Sequence, residues 1–195
     1  ILNKMGNPYS VFTPFSKKVI EERLWRDPLP LPSFSCRSCI ESEKIENLNL
    51  LSVLNWDKGF SKIWSPGRKG AIKNLQAFKK KVDMYEEKRN IPSLAGTSQL
   101  STNLHFGEIS PHEIWKSIEV KSKNSQIFLR QLVWREFGNY FIFHSPTATD
   151  FSWKRKFDDF PWEKNQKAFL AWKKGMTGYP IVDAGMRELR KTGWM

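Results

Sequence analysis

The chain has 195 residues, 39% of them hydrophobic, which is enough to bury one sizeable core, and no apolar run approaches the ~18 residues that a membrane span needs. Thirty-two Lys and Arg against twenty Asp and Glu leave a formal net charge of +12, which points to a polyanionic partner. Nine Trp and fourteen Phe add flat surfaces suited to stacking on bases or on a planar cofactor.

Residues 1–26 open with the turn signal Gly6-Asn7-Pro8, and the run from Tyr9 to Phe12 predicts a short strand. Ser16 is placed to cap a helix carrying Val19, Ile20 and Leu24. Strand and helix read as the close of a domain whose body lies upstream. The bare Ile1-Leu2 start and the apolar Gly193-Trp194-Met195 end are those expected of part of a longer protein. Residues 27–50, with Pro28, Pro30 and Pro32, show little periodicity and read as a linker. Cys36 and Cys39 form a lone C-x-x-C; zinc wants four ligands, and His105, His112 and His144 are scattered. Two reduced thiols, no metal site and a cytosolic or nuclear compartment follow.

From Trp56 the texture changes. Trp56, Phe60 and Trp64 recur every four residues, until Ser65-Pro66-Gly67 breaks the chain. Ala71, Leu75, Phe78, Val82 and Tyr85 then step by four, three, four and three, which predicts one long amphipathic helix with Lys and Arg on the other face. Tyr85 ends that stripe and Arg89 lies one turn on. Gly96-Thr97-Ser98-Gln99-Leu100-Ser101 sets two hydroxyls after a glycine and a third three residues later. Such a turn either cradles a small anion or caps the next helix; no Lys-Ser/Thr pair makes it a Walker loop.

Ser110, Pro111 and Glu113 predict a capping box and a helix that turns Ile114, Trp115 and Ile118 inward. Within 125–144, Leu129, Leu132, Val133, Phe137, Tyr140 and Phe141 predict a core face. Gln131, Trp134, Arg135 and Gly138 fall at i, i+3, i+4 and i+7 and share a second stripe. An amide, a flat ring, a cation and a glycine suit a lined cavity; the alternative is a Trp packed on a neighbouring helix beside a solvated Arg. A turn at Asp158–Trp162, a helix through Ala168, Phe169 and Trp172 to Gly175, and a last helix from Pro180 complete the chain. That last helix should turn Ile181, Val182, Gly185, Met186 and Leu189 inward. From Trp56 on, the reading is all-α.

Tyr85 followed by Thr97-Ser98-Gln99-Leu100-Ser101, then Phe106-Gly107-Glu108-Ile109-Ser110-Pro111, Trp134-Arg135-Glu136-Phe137, Thr177-Gly178-Tyr179-Pro180-Ile181-Val182-Asp183-Ala184 and Thr192-Gly193-Trp194-Met195, together resemble the DNA photolyase/cryptochrome family in order and spacing. Tyr9-Ser10-Val11-Phe12-Thr13-Pro14-Phe15 resembles the end of that family's antenna domain. The resemblance implies a mainly α chain. Residues 51–195 would be the first part of an all-helical FAD-binding domain, residues 27–50 a linker, and residues 1–26 the remnant of an α/β antenna domain.

By the same resemblance, Tyr85, Thr97, Ser98, Gln99, Leu100, Ser101, Phe128, Gln131 and Arg135 would contact FAD. Arg89, Gln131, Trp134, Arg135, Gly138 and Trp194 would face DNA and a flipped lesion, and Trp162 would be the outermost of an electron-transfer tryptophan chain. The implied activity is that of a carbon–carbon lyase: reduced FAD, excited by blue light, lends an electron that splits cyclobutane pyrimidine dimers. An antenna chromophore of unspecified identity would sit in the upstream domain. The expected partner is UV-damaged DNA, without a membrane, for a monomer in a bacterial cytoplasm or, in a eukaryote, a nucleus. The family's Asn-Arg motif and later flavin-binding acids fall beyond Met195, so residues 1–195 alone should bind FAD poorly and be inactive.

Three positions depart from the pattern. Gln131 stands where well-known cyclobutane-dimer enzymes carry Glu, and Gln is common there in (6-4) photolyases and animal cryptochromes. Gln99 replaces a frequent Arg, and Arg68 replaces an acid. A cryptochrome-like photoreceptor without repair activity and a (6-4) photolyase are therefore the alternatives.

Overall fold

Every regular element is helical among the residues that the computed structural model describes, which are 1–22, 25–30, 32–35, 42–50, 54–120 and 122–195. Cys36, Cys39 and Leu24 lie outside the described residues. The chain divides into two compact units, Ile1–Leu29 with Pro66–Pro161, and Pro30–Ser65 with Trp162–Met195.

In the first unit the predicted strand at Tyr9–Phe12 is instead the lead-in to a helix, α1, spanning Phe12–Glu21. Pro14 falls in its first turn, where the missing N–H would have had no helical partner anyway. Ser16 does not cap this helix: it is buried inside it, and its Oγ donates to the Thr13 carbonyl at 3.0 Å. Phe12, Phe15 and Val19 line one face of α1 and pack with Val133.

The long helix predicted from the Ala71–Tyr85 stripe is broken into α2 (Gly67–Lys79), a 3-10 turn (Val82–Met84) and α3 (Tyr85–Lys88). The break has an identifiable cause: neighbouring segments capture its polar groups. The Asp83 carbonyl accepts from Asn124 Nδ2 at 2.6 Å, its carboxylate from Ser122 Oγ at 2.7 Å, and Lys81 Nζ donates to the Ala95 carbonyl at 2.6 Å. The apolar stripe survives the break, with Ala71, Leu75, Phe78 and Tyr85 all buried. Helices α4 (Ser101–His105) and α5 (Pro111–Ser117) follow. Ser110 caps α5 by accepting from the His112 N–H at 3.1 Å, but Glu113 does not close the predicted box. Its carboxylate is taken by Arg68 in a two-point fork at 2.8 and 2.9 Å.

Helix α6 (Lys123–His144) is the spine of this unit and begins with a reciprocal Ser122/Ser125 capping box. Phe128, Leu129 and Leu132 join Leu75, Phe78, Ile114 and Ile118 in the main cluster, while Val133 serves the α1 cluster. Trp25 stacks on Trp115 with centroids 4.3 Å apart and packs against both clusters.

The second unit holds α7 (Gln166–Lys174) and α8 (Pro180–Thr192), each ended by a left-handed glycine, Gly175 at φ 66° and Gly193 at φ 72°. Between them Asp183 accepts from the Thr177 N–H at 2.8 Å, Thr177 Oγ1 at 2.7 Å and the Gly178 N–H at 3.0 Å. The inward face expected of α8 is only partly covered: Gly185 and Met186 are half-buried, whereas Ile181 is 70% exposed and Val182 and Leu189 are also exposed. Two helices can cover only the stripe along their own contact. Trp56, Phe60 and Trp64, periodic as a helix would be, sit instead on and beside two 3-10 turns, Asn55–Asp57 and Phe60–Lys62. Trp64 Nε1 donates to the Thr192 carbonyl at 2.6 Å.

Two outcomes are expected. Phe78→Ala removes a fully buried ring and should cost about 3–5 kcal/mol, read as a lower urea midpoint with an unchanged slope. The three donors hold the Asp183 carboxyl below the usual carboxylate range, led by the Thr177 hydroxyl. Its contribution to stability is therefore complete above the unfolded aspartate pKa of about 3.9 and is lost as pH falls through the lowered folded value. Asp183→Asn should flatten the acid limb of a stability-versus-pH curve.

Candidate functional site

Gly96 is where the site starts. A Cβ there would lie 2.5 Å from the Lys88 carbonyl oxygen, so only glycine lets the turn after α3 lie against the end of that helix. Gln99 takes a left-handed φ of 53°, which swings the chain into α4. Glu108 holds α4 in place from behind, accepting from the Gly67 N–H and from the buried Asn103 side chain, both at 2.6 Å. On the opposite side Asn124 pins Tyr85: its Oδ1 accepts from the Glu86 N–H at 2.6 Å.

Between α3, the hydroxyl turn, α4, α5 and α6 lies a cavity of about 510 Å³, in the size range of small-molecule sites. Eight residues named from the sequence line it: Tyr85, Thr97, Ser98, Leu100, Ser101, Phe128, Gln131 and Arg135. Gln99 is not in the lining; its left-handed backbone leaves the side chain exposed. Trp134 is also absent from it. Its ring is stacked on Phe12 of α1 with centroids 3.5 Å apart and planes 8° from parallel, and remains 48% exposed. The four-residue stripe is thus rotated: the cavity face of α6 runs through Phe128, Gln131, Leu132, Arg135 and Asn139. Gly138 is beside it, with nothing within 4 Å of where a Cβ would stand. Arg89 sits over the Tyr85 ring, 5.2 Å from its centroid, rather than in the lining. Trp162 and Trp194 belong to the second unit, where Trp194 packs at 5.6 Å on Trp64.

Two polar lining residues escaped the sequence reading, His105 and Asn139. Each lies one helical turn beyond a named residue, four after Ser101 and four after Arg135, so the i, i+4 rule would have reached them.

The lining is an apolar wall with a few polar groups set in it. Leu100, Leu132, Phe128 and Ile114 are nearly or fully buried. Burial also pushes the Tyr85 phenol above its ordinary value, partly offset by the Arg89 cation, so the hydroxyl stays neutral. Gln131 Nε2 donates to the Ile127 carbonyl at 3.1 Å, which leaves its side-chain oxygen as an acceptor. Arg135 pairs with its neighbour Glu136 at 3.1 Å, half exposed. Among the described residues, no protein group bonds the hydroxyls of Thr97 and Ser101 or the polar ends of His105 and Asn139. Flat aromatic and aliphatic walls with unengaged donors and one cation fit a group that is planar in one part and phosphorylated in another, as FAD is.

A smaller cavity of about 140 Å³ is lined in part by Trp25, His112 and Glu136. Among the described residues, Trp25 Nε1 and His112 Nδ1 are buried there without a protein partner, a setting suited to ordered water.

Comparison with known proteins agrees with this chemistry. Residues 128–195 match the family described as FAD binding domain of DNA photolyase. A deoxyribodipyrimidine photo-lyase of Agrobacterium fabrum is 40% identical over 98% of this chain and 42% of its own length. Cryptochrome-2 of Arabidopsis thaliana is 34% identical over 97% of this chain and 34% of its own length. The crystal structure of a bacterial class III photolyase from Agrobacterium tumefaciens superposes on the whole chain with a TM-score of 0.93 at 39% identity. The chain spans 42% of that structure too.

Two glycines give a paired prediction. Gly96→Ala forces the turn off the Lys88 carbonyl and should cost about 1–3 kcal/mol, with faster amide exchange over residues 97–101. Gly138→Ala meets open space in a helix and should leave stability equal or raised by about 0.5–1 kcal/mol.

Proposed function

This chain belongs to the DNA photolyase/cryptochrome family, and we propose that the full-length protein repairs cyclobutane pyrimidine dimers in DNA with light, using FAD. The observation that carries the reading is the convergence of Thr97, Ser98, Ser101, Gln131 and Arg135 on one apolar-walled cavity. Reduced FAD, when bound, supplies the absorption of blue light and the one-electron loan that splits the dimer.

The chain's own residues do the dark work. Thr97, Ser98 and Ser101 would hold phosphate oxygens with their hydroxyls, and Arg135 would balance the negative charge. Replacing a frequent Arg by Gln99 removes one cation from that turn, so the hydroxyls take a larger share. Tyr85, Leu100, Phe128 and Leu132 would exclude water from the flat part of the cofactor, which would strengthen each polar contact nearby. Gln131, tied back to Ile127, would present its free oxygen to a donor on the cofactor or on the base.

On the DNA side, extruding a lesion costs a few kcal/mol of unstacking, less for a base pair already distorted. Trp134 is suited to offset that cost: Phe12 backs one face of its indole, and stacking on an aromatic contributes about 1–3 kcal/mol per base. Arg89 would meet a backbone phosphate, and Trp194 would face the lesion. Trp162 would pass electrons inward to keep the cofactor reduced. The protein would act as a monomer in the cytoplasm, at the nucleoid. Gln131 and the cryptochrome among the relatives favour one second reading, a photoreceptor that binds the same cofactor without repair.

Blue light on the full-length protein should remove cyclobutane dimers from UV-damaged DNA, and Arg135→Ala should lower flavin retention and the repair rate together. No light-dependent loss of dimers despite bound reduced flavin would reject repair of this lesion in favour of the photoreceptor.

A further inference from the structure

Helix α2 carries a feature that neither the core nor the cavity uses. From Gly67 to Val82 there is no Asp or Glu, while Arg68, Lys69, Lys73, Lys79, Lys80 and Lys81 are all cationic. Arg68 is engaged by Glu113 and Lys81 by the Ala95 carbonyl. Lys69, Lys73, Lys79 and Lys80 are exposed and make no ion pair or hydrogen bond among the described residues. Three other lysines of the same unit pair with acids: Lys18 with Glu22, Lys116 with Asp27 at 2.7 Å, and Lys123 with Glu86 at 2.9 Å. What sets the strip apart from the overall excess of positive charge is this run of sixteen residues without an acid.

Its geometry is linear. Lys69, Lys73 and Lys80 fall at i, i+4 and i+11, opposite the buried Ala71, Leu75 and Phe78. At 1.5 Å per residue the strip is about 16 Å long, the axial span of about five phosphates on one strand of a duplex. No residue of α2 lines the large cavity.

We infer that this strip docks on the phosphate backbone of undamaged duplex DNA, apart from the lesion site; the inference rests on the reading of the protein as one that acts on DNA. A membrane surface is a poorer occupant, because the apolar face that would insert is packed in the core. An acidic protein is poorer too, since α2 exposes no large apolar or aromatic residue to anchor an interface. Backbone phosphates ask only for charge, and lysine meets them as a flexible point cation. The strip would supply weak, sequence-independent binding that keeps the protein on DNA between lesions.

The test compares two full-length variants of equal net charge in the dark. One carries Lys69→Gln, Lys73→Gln, Lys79→Gln and Lys80→Gln; the control carries Lys4→Gln, Lys17→Gln, Lys116→Gln and Lys123→Gln. Affinity for a short undamaged duplex is measured between about 50 and 200 mM salt, where each lost phosphate contact lowers the log–log slope by about 0.9. The strip variant should lose about 2–4 from the slope and the control at most about 1. Circular dichroism should show both folded, since Lys and Gln have similar helix propensity. Light-driven repair of a dimer in a short single strand should be the same for the strip variant as for the unaltered protein. Equal slopes for the two variants overturn the inference. So does loss of poly-glutamate binding in the strip variant with its DNA slope intact, which would reassign the strip to an acidic protein. If the unaltered protein has no duplex affinity even at low salt, the DNA reading falls with it; intact repair with an unchanged slope removes the strip alone.

Discussion

Phe128 touches Phe78 and Tyr85 at once, with ring centroids 4.4 and 5.4 Å away, and Phe78 meets Tyr85 nearly at right angles at 5.7 Å. The three rings come from α6, α2 and α3, so one contact joins three elements. It also makes the cavity wall the outer surface of the core, because Tyr85 and Phe128 are both buried and line the cavity. Edge-to-face ring pairs are directional as well as apolar. The site is thus held by the same forces that hold the fold, and its wall cannot loosen without the core loosening.

The polar groups of the site are arranged by a different set of contacts. Asn103 with Glu108, and Asn124 with Asp83 and Glu86, are short side-chain bonds that fix α4 and α3 from outside the cavity. The two Asn124 bonds satisfy backbone groups that the broken α2–α3 helix leaves open. The hydroxyls of Thr97 and Ser101 are left out of this network. A wall made rigid by packing and a handful of unengaged donors is the arrangement that preorganised binding sites share.

What the sequence made legible was periodicity and its partners. Ala71, Leu75, Phe78 and Tyr85 declared one buried stripe, and that stripe is buried although the helix beneath it is not continuous. The break was illegible because it depends on Asn124 and Ser122, some forty residues away in the sequence. Gln131 and Arg135 declared a cavity face on α6, but its centre was misjudged by less than a quarter turn. Each residue advances about 100°, and Phe12, which the sequence places on a strand, pulls Trp134 toward α1. The predicted strand at Tyr9–Phe12 failed for a related reason: β-branched and aromatic residues mark burial as much as strand, and here Phe12 and Phe15 are buried on a helix. On α8, Ile181 reads as a core residue and stands in solvent, because apolar character declares a need for cover without naming what provides it.

The stack of Phe12 on Trp134 joins positions far apart in the sequence, one at the start of α1 and one midway along α6. The angle of the indole is therefore a property of how α1 is seated, and any event that shifts the N-terminal segment is felt at that ring. The difference in ultraviolet emission between this chain, with its nine tryptophans, and a Trp134→Phe variant would isolate this indole and serve as an optical gauge of how α1 docks.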